Sequence, residues 1–215
     1  QPFRLIGYVT DGPTPPRLPA AQLDVVNFAF AKVAPDGSVY LPDKVDPAHV
    51  HALVAHRADN PALKIVLSIG GWGAGNFSEA AATEAARARF IDSGVALLRR
   101  FDLDGLDIDW EYPTLGDADI SHSPDDRRNF TVLLEALRAR LDREGFGRAR
   151  FMIATESDGT DRAEYADRAI GGRCGGASGD FDASAVDGGG LVGHSEASQS
   201  DWVGLKGVGQ EHLGA

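Results

Sequence analysis

Over its first 155 residues the chain alternates short apolar runs with longer stretches of helical periodicity. The runs at 3–9, 25–33, 64–69, 101–110 and 150–154 are mostly rich in Val, Ile and Phe and predict five buried strands. Between them, 47–58, 79–100 and 125–143 repeat their apolar residues at helical spacing. Phe90, Val95, Leu97 and Leu98 mark one such face, and Phe130, Leu133, Leu134, Leu137 and Leu141 another. Strand-helix alternation predicts a parallel sheet with helices packed outside it. Ser123 and Pro124 ahead of the acidic pair Asp125 and Asp126 read as a helix start, where carboxylates meet the positive end of the helix dipole. Gly145 and Gly147 read as its close.

The last quarter breaks this pattern: residues 171–215 hold 13 of the 26 glycines. Glycine loses much backbone entropy on ordering and offers no side chain to bury, so a loosely ordered tail is expected there. Trp202, Val203, Leu205 and Val208 are its candidate anchors. A domain at 1–170 followed by a tail at 171–215 is the expected organisation. The 215 residues suit one domain with a substantial core. A net charge of −11 repels polyphosphates, which argues against nucleic acid as a partner. No apolar run approaches the ~20 residues of a membrane-spanning helix. The single cysteine, Cys174, excludes an intramolecular disulfide and a cysteine-cluster metal site. A start at Gln1 without an apolar leader leads to the expectation of a mature secreted chain.

The segment at 101–113, FDLDGLDIDWEYP, carries the most chemistry. On a strand, Leu106, Ile108 and Trp110 point one way while Asp107, Asp109 and Glu111 point the other, at about 7 Å intervals. Crowded carboxylates cannot all ionise cheaply, so a proton is shared or retained, as a general acid requires. The alternative is the wet face of an antiparallel strand. Against that stand the poor strand propensity of Asp and the helix-covered parallel sheet predicted around it. A second segment, KIVLSIGGW at 64–72, ends in two glycines and Trp72, which reads either as a sugar-stacking platform or as a turn followed by a core Trp.

Together these segments resemble glycoside hydrolase family 18, the chitinases and their relatives. The pattern Asp-x-x-Asp-x-Asp-x-Glu is met by Asp104, Asp107, Asp109 and Glu111, followed by Tyr112 and Pro113, and Ser-x-Gly-Gly by Ser68, Gly70 and Gly71. Gly7-Tyr8, Asn27-Phe28-Ala29-Phe30 and Arg128-Asn129-Phe130 add to the resemblance, which covers 3–155. It implies an α/β fold of the (β/α)8 TIM-barrel kind and substrate-assisted hydrolysis of β-1,4-linked N-acetylglucosamine. Glu111 would be the acid and then the base, Asp109 would orient the acetamido group, and Asp107 would share a proton with Asp109. Asp104, Ser68 and Gly70 would be structural supports. Tyr8, Phe28, Gly71, Trp72 and Tyr112 would line the cleft, with a core position as the alternative for Phe28. Chitin or a chito-oligosaccharide would be the partner, with no metal and no cofactor. His49, His51 and His56, on or beside one short helix, read as solvated side chains.

The chain also departs from that family. A full barrel takes about 250 residues, and five strands already use the first 155. The expectation is an incomplete barrel with a Gly-rich C-terminal tail, leaving a sheet edge that a homodimer could cover. The family's sixth-strand Tyr-Asp pair and eighth-strand Trp have no clear counterpart, Trp202 being a doubtful one. Two other functions stay open: a non-catalytic chito-oligosaccharide-binding protein, and an endo-β-N-acetylglucosaminidase, against which Trp110-Glu111-Tyr112-Pro113 speaks.

Overall fold

The computed structural model describes residues 5–146, together with the backbone of two strands at 150–153 and 202–207. Its strands are β1 (Leu5–Thr10), β2 (Val25–Val33), β3 (Val39–Tyr40), β4 (Lys64–Gly70), β5 (Gly105–Asp109), β6 (Arg150–Ile153) and β7 (Trp202–Gly207). Its α-helices are α1 (Pro47–Ala55), α2 (Phe77–Ala82), α3 (Glu84–Phe101) and α4 (Asp126–Arg143). The sheet runs β6-β5-β4-β2-β1-β7, with β3 attached to β2. From β1 through β6 the neighbours on this path are parallel, whereas β7 is antiparallel to β1. No described helix is long and apolar enough to cross a membrane.

Alternation along each strand sorts the side chains onto two faces. Val9, Val26, Phe28, Ile65, Leu67, Ile69, Leu106 and Ile108 join the helices in one core. α3 contributes Phe90, Ile91, Val95, Leu97, Leu98 and Phe101, and α4 contributes Phe130, Leu133, Leu134, Leu137 and Leu141. Gly94 lets α3 sit close, since a Cβ there would come 3.2 Å from Leu106 Cδ1. The other face begins with a small apolar cluster of Ile6, Val25 and Val66 and becomes polar toward the C-terminal strand ends.

The expected strand at 101–110 is shorter than its apolar pattern suggested. Phe101 completes α3, Asp102 caps it in the left-handed region with φ 54°, and the strand begins at Gly105. The single helix expected over 79–100 is two, because Thr83 leaves helical geometry and its hydroxyl accepts the Ala86 N–H at 3.2 Å to start α3. Two strands were not anticipated, β3 and β7. Trp202, Val203 and Leu205 lie on β7, while Val208 and the rest of the expected tail lie outside the described residues. β7 occupies the β1 edge of the sheet, so that edge is not left for a second copy. His49 is buried with Nδ1 2.6 Å from Asp11 Oδ1, which corrects its reading as a solvated residue.

At the N-terminal end of the sheet Asp104 ties three segments together. Its carboxylate accepts the Ile65 N–H at 2.9 Å, Arg57 at 2.6 Å and Lys64 at 3.0 Å. Burial alone would raise its pKa, but the Ile65 N–H, Lys64 and Arg57 hold it below the ordinary carboxylate value. A depressed pKa stabilises the fold above the unfolded value near 4 and ceases to do so as pH falls through the folded value. Asp104→Asn should therefore cost about 1.5–3 kcal/mol at neutral pH by urea denaturation, and the difference should shrink below about pH 4.

Candidate active site

The inner sheet face gathers its polar residues at one end. Register places Asn27 beside Tyr8, Ser68 beside Asp107, and Gly70 beside Asp109. Asp107 is wholly buried, and its Oδ2 accepts three hydrogen bonds from three other strands: Tyr8 Oη at 3.0 Å, Asn27 Nδ2 at 3.0 Å and Ser68 Oγ at 2.6 Å. Burial pushes the Asp107 pKa up, and the Ser68, Tyr8 and Asn27 donors offset only part of that. Tyr8 is driven well above its ordinary value by burial, then by the charges of Asp107 and Asp109, so its hydroxyl remains a donor.

Asp109 and Glu111 continue the row with 2% and 3% exposure, Glu111 lying just past the end of β5. Trp110 between them turns to the opposite face, stacked on Phe77 at 5.4 Å and edge-on to Phe130 at 5.2 Å. That anchor in the helix-side core keeps its two acidic neighbours on the inner side. The glycines of β4 bring a second backbone against the same place. Gly70 has φ 124°, and a Cβ on it would lie 2.1 Å from Asp109 O, while the Gly71 N–H donates to that oxygen at 2.9 Å. Only a residue without a side chain fits at Gly70.

Trp72 is 56% exposed and meets Tyr112, which follows Glu111 in the chain, edge-on at 6.1 Å, so the two rings lie together beside the acidic row. Phe28 does not belong there. It is fully buried in the core beneath the helices, because its position on β2 alternates with that of Asn27, and this corrects its assignment to the cleft. A register shift between Ala29 and Ala31 interrupts the simple alternation, and Phe30 is the aromatic that lies against Gly71. Asn27 and Phe30, quoted above only for the resemblance, and Lys32 lie at this end of the sheet and were not among the candidates for the site. The polar Asn27 and Lys32 within the apolar run VVNFAFAKV were the available signal.

The segment that follows Glu111 is fastened by Asp126, the first residue of α4. Its Oδ2 accepts the Thr114 N–H at 3.2 Å and the Ser123 N–H at 2.8 Å, and its Oδ1 accepts Ser78 Oγ at 2.5 Å from α2. Leu115, between the two pinned residues, is 45% exposed.

Two outcomes follow from this geometry. Gly70→Ala should lose about 3 kcal/mol or more in urea denaturation, whereas Gly75→Ala, with nothing within 4 Å of the added Cβ, should stay within about 0.5 kcal/mol of the parent. Because the Asp107 pKa is raised on folding, its contribution is complete below the unfolded value near 4 and is lost as pH climbs through the folded value. The stability of Asp107→Asn relative to the parent should therefore improve between about pH 4 and pH 7, and a gap that stays constant over that range would refute this reading.

Residues 4–170 match the profile of Glycosyl hydrolases family 18. Chitinase A1 of Niallia circulans is 39% identical over 126 residues, which are 58% of this chain and 18% of that protein. The family 18 N-acetylglucosaminidase of Paenibacillus barengoltzii superposes with a TM-score of 0.63 and 39% identity, over 72% of this chain and 45% of that one. The chitinase domain of the spore coat protein CotE of Clostridium difficile gives 0.62 and 36%, over 74% and 43%. The chain thus spans less than half the length of each of these relatives, and its parallel sheet is part of a (β/α)8 TIM barrel. Strands of such a barrel all run parallel. Trp202 therefore starts a strand of the opposite direction to the family's eighth. A match over most of the sequence, two similar solved folds and a buried Asp107-Asp109-Glu111 row at the C-terminal strand ends agree: the chain belongs to family 18 of the glycosyl hydrolases.

Proposed function

We propose that this chain carries the acid-base half of a chitinase-type site that cleaves β-1,4-linked N-acetylglucosamine with retention of configuration. The observation that supports it best is the buried row of Asp107, Asp109 and Glu111, opening beside the exposed Trp72 and the half-buried Tyr112. In this reading Glu111 gives its proton to the glycosidic oxygen as the bond to the anomeric carbon breaks. The acetamido oxygen of the same sugar attacks that carbon from the other side and forms an oxazolinium ion. Asp109 orients the acetamido group and offsets the positive charge that develops on it. Asp107, with its raised proton affinity, shares a proton with Asp109 and lets it turn between partners. The Glu111 carboxylate then takes a proton from water, whose oxygen opens the oxazolinium ion and restores the acid. Trp72 offers a flat apolar face on which a sugar ring stacks.

The relatives are a chitinase, an N-acetylglucosaminidase and a chitinase domain, which favours a substrate built from N-acetylglucosamine. An insoluble polymer of that sugar is met outside the cell, so secretion belongs to the proposal. The second reading is a protein that binds chito-oligosaccharides without cleaving them.

Release of fluorophore from a fluorogenic di-N-acetylchitobioside, followed from about pH 4 to pH 9, separates the two. The parent chain should turn over, and Glu111→Gln should lose at least about a hundredfold in kcat while still binding chitotetraose. Binding by both proteins with turnover by neither would transfer the assignment to the binding protein.

A further inference from the structure

Lys32 stands at the end of β2, half-buried, and is not among the residues that the sequence pattern nominated for the site. Its Nζ donates to Gly70 O at 2.6 Å and lies 5.3 Å from the centre of the Phe30 ring. Phe30 in turn packs on Gly71, and Gly70 is the register partner of Asp109. The ammonium is therefore docked on the backbone that presses against the acidic end of β5. We infer that Lys32 is a positioning residue of this site: it holds the end of β4 in place and supplies a positive charge that stabilises the ionised forms of Asp109 and Glu111.

The charged and titratable groups around that end of β5 come from several elements. β1 brings Tyr8, β2 brings Lys32, β5 itself brings Asp107, and the segment after β3 brings Lys44 near Lys32. Burial and then Lys44 lower the pKa of Lys32, while Asp109 and Glu111 act in the opposite direction. Such coupling is reciprocal: carboxylates that favour the ammonium are themselves favoured as carboxylates by it. Without a cation here, a buried row of three acids would retain protons to higher pH. For the hydrolytic cycle, and here the inference rests on the proposed function, Lys32 eases the state in which Glu111 has given up its proton and must activate water.

The test reads protonation directly and needs no turnover. Carboxyl carbons of the full chain, labelled at Asp and Glu, are titrated by NMR, with Glu111 assigned from its absence in Glu111→Gln. In Lys32→Met the Glu111 midpoint should rise by about half a pH unit or more, and in Lys32→Arg it should stay near the parent value. The reciprocal measurement uses the side-chain nitrogen of Lys32, whose midpoint should fall in Glu111→Gln, a variant that leaves Lys32 itself intact. A purely structural lysine would lower the melting temperature in Lys32→Met yet leave both midpoints unmoved, and that result overturns the inference. Inactivity of the parent toward the chitobioside would bear on the proposed function and leave these titrations readable.

Discussion

A carboxylate cut off from water persists only where protein donors take the place of that water. Asp107 draws its three donors from three other strands of the sheet, Tyr8 on β1, Asn27 on β2 and Ser68 on β4. A single oxygen atom thus fixes the relative placement of four strands at the level where the inner face turns from apolar to polar. Buried ionic groups are expensive, and removing one partner costs more than the pair was worth. The polar layer is therefore a constraint on the sheet as much as a chemical site.

The rest of the site follows from how closely the strands approach above that layer. Gly70 and Gly71 let the end of β4 touch the backbone of Asp109, which no residue with a Cβ would permit. Trp110 takes the opposite face and is held by Phe77 and Phe130. The helix-side core and the acidic row are consequently one device: aromatic packing on one side sets the aim of carboxylates on the other.

Much of this was legible from the sequence, for reasons that differ by residue. Period-two alternation in GLDIDWE places Asp107, Asp109 and Glu111 on one face, and helical spacing in α4 marks its buried side. Phe30 was harder, because plain alternation would put it on the core face with Phe28, whereas a register shift beyond Ala29 brings it against Gly71, and composition carries no mark of such a shift. The end of α3 was hidden because Phe101 and Leu103 extend the apolar run of β5 in sequence while belonging to a helix terminus and a turn. β7 was not anticipated, since its pairing to β1 joins residues nearly two hundred positions apart in a glycine-rich segment of weak local preference.

Asp126 has a consequence for how such a site can diversify. Thr114 and Ser123 donate to the same carboxylate oxygen, so the segment between them leaves from and returns to one point. It is a lariat whose knot is internal to the fold, and closing a longer loop adds only about 0.6 kcal/mol per doubling of its length. Leu115 and its neighbours can accordingly be exchanged, shortened or enlarged with little effect on the aim of Glu111. The rim of the cleft is free to vary while its chemistry stays fixed.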